Sequence, residues 1–198
     1  MAVKIQDGKL IYHITALANI ESILQNGLKS RASIQQSFVD IANEEIINFR
    51  EANTISNYIP FHFFMGTPFA GQVQKIHPTT EFIYISIHRE MAKKYNFKII
   101  PTHPIHMVPL NFFNYDEGMR IINWDLMELR DYSNHECKEV CMAECIAPYP
   151  SIGCQAFQSI IVKSDVTKTL IIDTYKRLYN TNDNPPFHIN VEPYRFVG

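Results

Sequence analysis

The heptapeptide FIYISIH, Phe82–His88, constrains this chain more than any other stretch. It is apolar on both faces of an extended backbone, so as a strand it needs neighbours on either side and cover above and below. A chain that contains it has to build a sheet around it. Further runs are strand-like: KLIYHIT (Lys9–Thr15), NYIPFHFF (Asn57–Phe64), VCMAECIAP (Val140–Pro148), AFQSIIVKSD (Ala156–Asp165), and the extended end NDNPPFHINVEPYRFVG with a final strand. Pro60 has no N–H to donate, which puts NYIPFHFF at a sheet edge.

Helical patterns are short and lie between these strands. LANIESILQNGL carries Leu17, Ile20, Ile23 and Leu24 at helical spacing and stops at Gly27. VDIANEEIINFR, EMAKKYN and NWDLMELRDYS each predict a short helix, the last followed by a loop, and no firm period runs from Phe97 to Met119. With no repeat, low-complexity tract or linker, residues 1–198 read as a single α+β domain, a mixed β-sheet core with peripheral short helices.

Bulk properties narrow the function. At 198 residues the chain can bury a core without staples, and 46% hydrophobic residues exclude a disordered one. A net charge of −2 excludes a broadly basic nucleic-acid binder, so any such binding needs a local patch. No apolar run reaches membrane-spanning length and MAVKIQDGKL lacks a signal-peptide core, so a cytoplasmic protein is expected, with no membrane partner. Cys137, Cys141, Cys145 and Cys154 crowd into one segment, the pattern of free thiols in a reducing compartment.

Several residues are candidates for chemistry. His135 with the C-x3-C-x3-C cysteines has the wrong spacing for paired zinc ligands, so no metal is expected there. Read as a strand, the same segment puts Val140, Met142, Glu144 and Ile146 on one face and the small residues Cys141, Ala143, Cys145 and Ala147 on the other. Glu144 is then a carboxylate among apolar neighbours, costly to bury unless paired or working; a salt bridge at a strand end accounts for it equally well. Arg50 suits a helix C-terminus by its charge alone. His13, in YHITALANIESILQNGL, is most simply a core histidine with a satisfied hydrogen bond. Trp124 reads as core, and HFFMGTPF has a glycine but no phosphate-loop pattern.

Taken together, IYHITALANIESILQNGL, FVDIANEEIINFR, YIPFHFF and MAECIAP resemble, in order, four motifs of the DarT-type DNA ADP-ribosyltransferase toxins. The resemblance implies an ADP-ribosyltransferase-like mixed sheet and NAD as co-substrate, with no metal. It implies Glu144 as catalytic residue with Arg50 beside the reactive centre, and His13 against the NAD ribose. Tyr12, Thr15, Asn19, Gly27 and Leu28 would surround the NAD cleft. It further implies a monomer acting on a base of single-stranded DNA, a toxin countered by a macrodomain-type or other ADP-ribosyl-hydrolase antitoxin. On that resemblance DYSNHECKEV would read the acceptor, with Tyr132 and Asn134 as the residues to test; Lys75, Lys93, Lys94 and Lys98 read mainly as a solvated face. Thymidine-modifying members carry an Arg-Ser-Pro-Met-like run where this chain has MGTPFAG, and that departure leans the expected base toward guanine. Other readings are transfer to RNA or protein, NAD hydrolysis on the same scaffold, and a non-catalytic nucleic-acid-binding module.

Overall fold

The structure, a computed structural model, describes residues 3–35, 38–42 and 44–197. Along the chain lie β1 (Leu10–Ala16), α1 (Ile20–Asn26), β2 (Leu28–Lys29), α2 (Glu44–Ala52), β3 (Ile59–Phe61), α3 (Pro68–Ile76), β4 (Phe82–His88) and α4 (Arg89–Lys94). After them come β5 (Lys98–Ile100), β6 (Phe113–Asn114), α5 (Tyr115–Ile121), α6 (Trp124–Leu129), α7 (His135–Val140), β7 (Glu144–Ala147), β8 (Ser151–Ile152), β9 (Ser159–Val162), α8 (Asp165–Tyr179) and β10 (His188–Val191).

FIYISIH is β4, and it is central as its composition requires, antiparallel to β1 on one side and to β9 on the other. Strand β10 closes that sheet in parallel with β9. A second, antiparallel sheet runs β3-β7-β5-β6. Strand β3 is at its edge, where Pro60 costs no ladder bond. Beyond the end of β3, one bridge joins the two sheets: Tyr12 and His62 exchange both backbone hydrogen bonds at 2.8 Å. The period-2 alternation of β4 then sorts two cores. Ile83, Ile85 and Ile87 enter the main core with Phe61, Ile99 and Cys145, while Phe82 and Tyr84 pack on the opposite face with Ala70 and Val73 of α3.

The structure adds helices α3 and α5 to the sequence reading, and two further elements differ from it. VCMAECIAP is not one strand. Asn134 caps α7 by accepting the Cys137 N–H at 3.0 Å, the helix runs to Val140, and the chain turns before a four-residue strand begins at Glu144. The expected division of faces holds from Cys141 onward: Cys141, Ala143, Cys145 and Ala147 enter the core and Met142 and Glu144 face a cleft, whereas Val140, expected on the Glu144 face, ends α7 and packs against the core. The second difference is α8, the longest helix, which the strand-dominated reading passed over. Its signals are local: Ser164 accepts the Thr167 N–H, and Asn180 ends the helix with φ 47°. Helix α2 also runs two residues past Arg50 to Ala52, and Asn43 of its expected first turn lies outside the described residues. Trp124 is buried, its Nε1–H donating to the Met119 carbonyl at 2.8 Å. The four cysteines are free and buried.

Candidate active site

The seam between the sheets opens into a cleft roofed by the segment after β2 and by α2. On its floor, β7 is flanked by β3 and β5, and register pairs Glu144 with Ile100. With Cys145 directed to the core, the alternation of a strand turns Glu144 into the cleft. Arg50 comes from α2 on the opposite wall. Its Nη1 donates to both carboxylate oxygens of Glu144, at 2.9 and 3.0 Å, and both side chains are about nine-tenths buried. Such a pair is stable only because each charge neutralises the other out of water. Arg50 Nη2 is buried with no hydrogen-bond partner among the described residues, a reserve donor at the pair.

His13 projects from β1 into the same cleft. Its Nδ1 lies 2.8 Å from the Pro60 carbonyl, which can only accept, so Nδ1 carries the proton and Nε2 is left as an acceptor. Burial pushes its pKa down to about 4, with the nearby Arg50 lowering it too, against the opposing pull of the Pro60 carbonyl and of Glu144. The imidazole is therefore neutral at pH 7. Thr15, Gly27 and Leu28 line the cleft as well. Gly27 has φ +79°, and a Cβ there would meet the Ile152 carbonyl oxygen at 2.8 Å, so only glycine fits between α1 and the β2–β8 ribbon.

Other expected site residues sit differently. Tyr12 does not line the cleft. One residue before His13 on a strand, it faces the other way, packing with Ile14 and Tyr84, and contributes its backbone to the seam. Asn19 lines the cleft but its amide is engaged: Nδ2 donates to Thr15 Oγ1 and to the Val39 carbonyl, and Oδ1 accepts the Val39 N–H. It fastens the cleft's roof, as does the Arg31–Asp40 ion pair nearby. Tyr132 and Asn134 lie outside the cleft lining. The Tyr132 hydroxyl donates to the Gly66 carbonyl at 2.8 Å, bracing the MGTPFAG loop, and Asn134 spends its side-chain oxygen on the α7 cap.

His62 is a cleft residue that the sequence reading missed. It is buried, its Nδ1 donates to the Ala143 carbonyl at 3.1 Å, and burial lowers its pKa. The signal was available in YIPFHFF: Ile59, Phe61 and Phe63 are core, so alternation turns Pro60 and His62 to the cleft. Phe69 and Met142 are also in the lining and carry no sequence signal beyond apolarity.

Two sheets meet at one bridge, and the cleft beside that seam holds a buried Arg–Glu pair and a neutral histidine. The family model described as "ssDNA thymidine ADP-ribosyltransferase, DarT" matches residues 12–195. The chain belongs to this DarT family of single-stranded-DNA ADP-ribosyltransferases. Among solved structures it is similar to Thermus sp. 2.9 DarT in complex with ADP-ribosylated ssDNA, at TM-score 0.80 and 17% identity over 100% of both chains. It is also similar to the same Thermus protein in complex with NAD+, at TM-score 0.72 and 17% identity, covering 96% of this chain and 98% of that one. Thermosipho africanus DarTG in complex with ADP-ribose matches at TM-score 0.67 and 17% identity, over 96% of this chain and 51% of that chain. At such identities the structural likeness establishes the mixed α/β fold. No curated protein matches by sequence. Among the described residues, no helix is long and apolar enough to cross a membrane.

Proposed function

We propose that this chain transfers ADP-ribose from NAD to a base of single-stranded DNA in the cleft between its sheets. The observation that carries this reading is the Arg50–Glu144 pair, both carboxylate oxygens held by one guanidinium nitrogen, on the cleft that His13 lines. The cleft's free groups suit NAD: His13 Nε2 can accept from a ribose hydroxyl, Arg50 keeps an unpartnered donor, and Thr15, Gly27 and Leu28 supply a close wall.

NAD supplies a glycosidic bond whose cleavage leaves neutral nicotinamide with the bonding pair and a ribose with oxocarbenium character. Glu144 holds its negative charge beside that centre and takes the proton that the attacking base loses. Arg50 fixes the carboxylate with both oxygens at defined positions, so little reorganisation is needed when the cation forms. His13, fixed by Pro60, presents an acceptor and no charge to the ribose, and so orients it without repelling the cation. A base edge is out of reach inside a duplex, consistent with a single-stranded acceptor.

The acceptor base rests on two signals that pull apart. The family description names thymidine, whereas MGTPFAG, without an arginine, leans toward guanine. That loop leads into α3, whose Phe69 lines the cleft, so it is positioned to affect the choice. The cellular role we infer is that of a cytoplasmic, monomeric, single-domain toxin, held in check by an antitoxin able to remove ADP-ribose.

Incubation with NAD and single-stranded oligonucleotides bearing one thymine or one guanine, read by mass, tests the whole reading. An ADP-ribose adduct confined to one base is expected. Nicotinamide release without adduct would reduce the chain to an NAD hydrolase.

A further inference from the structure

At the edge of the cleft, which His103 lines, the turn after β5 and helix α7 bring together imidazoles that are far apart in sequence. His106 Nδ1 lies 2.7 Å from Glu139 Oε2. The ligand atoms of His103, His106 and Glu139 all fall within 4.8 Å of one another. His135, one turn before Glu139 on α7, places its Nε2 3.9 Å from Glu139 Oε1. The His103 and His106 rings are 4.9 Å apart and the His106 and His135 rings 6.2 Å apart.

We propose that His106, Glu139, His135 and His103 form a transition-metal site of the zinc class. Imidazole nitrogens with one carboxylate suit Zn²⁺, Co²⁺ or Ni²⁺ rather than Mg²⁺ or Ca²⁺, which prefer oxygen. Tetrahedral ligands around such an ion stand about 3.3 Å apart, a contraction that the exposed side chains of His106 and His135 can make by rotamer change. Glu44 and Glu45 of α2 face the adjoining cavity with a single lysine, Lys138, so the local charge favours a cation. His103 is the weakest member. Its Nδ1 accepts the Ile105 N–H at 3.1 Å, and it can ligate only by releasing that bond.

The ion would clamp the turn at Pro104–His106, which follows the Ile100 partner of Glu144, to the helix that ends shortly before Glu144. It would thus brace both chain segments that lead into the floor of the cleft. It takes no part in the transfer itself.

The test is titration of the full chain with Zn²⁺ by calorimetry, and with Co²⁺ by absorption. One ion per chain is expected, with a rise in Tm and no thiolate charge-transfer band. His106→Ala should weaken binding at least about tenfold, as loss of one ligand does, and His103→Ala less. A thiolate band would assign the ion to Cys137 or Cys141 and overturn the proposal. So would affinity unchanged in His106→Ala and His135→Ala, or a loss in those variants of oligonucleotide binding alone. Both readouts are independent of transferase activity, so failure of the site and failure of the proposed function are separable.

Discussion

Arg50 and Glu144 are worth more to each other than to the fold. A buried ion pair recovers little net stability, but removing one partner strands the other charge, at a cost of about 3–5 kcal/mol. Arg50→Ala is therefore expected to lower stability by that order in urea unfolding as well as to abolish transfer. Glu144→Gln keeps a neutral acceptor for Arg50, so it should remain folded with near-native Tm while transfer to an oligonucleotide falls at least about 10²-fold. A Glu144→Gln protein with unimpaired transfer would remove the carboxylate from the mechanism. His13 makes a pH prediction whose sign follows from its environment. Its pKa is about 4 in the folded protein against 6.5 when exposed. Above pH 6.5 neither state is protonated and the stability is intact. As pH falls toward 4 the unfolded chain takes up a proton first, and on the order of 3 kcal/mol is lost. His13→Gln should therefore lose less stability between pH 7 and pH 4.5 than the parent does, with His62 supplying part of the loss that remains. Equal losses in the two proteins would mean that His13 is not held neutral.

At the level of elements, Asn19 is a fastening point for the roof of the cleft. Segment 38–42 is tied to α1's leading turn through Asn19, whose amide holds both backbone polar groups of Val39. Asn19→Ala removes both ties and leaves the Arg50–Glu144 pair untouched. Its expected signature is a KM for NAD raised about tenfold with kcat changed less, and faster hydrogen exchange in residues 38–42. A lowered kcat with unchanged KM would instead make Asn19 part of the chemistry. The other end of α1 tolerates no side chain. Gly27→Ala adds a Cβ at 2.8 Å from a carbonyl and imposes a positive φ on alanine, which should cost about 1–3 kcal/mol and weaken NAD binding through the β2–β8 wall.

For the molecule as a whole, the join between sheets is the vulnerable feature, and Arg89 secures it. Its guanidinium is buried, donates to the carbonyls of Ile5, Gln6, Leu10 and Phe63, and lies over the rings of Phe63 and Trp124. One side chain thus ties the N-terminal turn and β1 to the chain leaving β3. Arg89→Met leaves four carbonyls without this donor, so a Tm decrease corresponding to about 3 kcal/mol or more is expected. Transfer per folded molecule should be preserved, since Arg89 lies outside the cleft lining. Thermal unfolding followed alongside active-site titration separates the two effects.

Local pattern was enough to locate β1, β4, β9, the helix stop at Gly27 and the edge position of NYIPFHFF, because each depends on neighbours within a few residues. It also singled out Glu144, since a carboxylate between apolar neighbours is conspicuous without any fold. It could not join α7's cap to the strand that follows, nor show that Asn19, Tyr132 and Asn134 each also bond the protein's own backbone. Apart from the family resemblance, which set Arg50 and His13 beside Glu144, only tertiary structure decided which residues meet. Arg50 and Glu144 are 94 positions apart, and nothing in either segment specifies the other. They converge because the seam at Tyr12–His62 sets two sheets edge to edge and α2 crosses the opening. A buried charge can be read from a chain, but its partner is fixed only when packing has chosen what lies across the cleft.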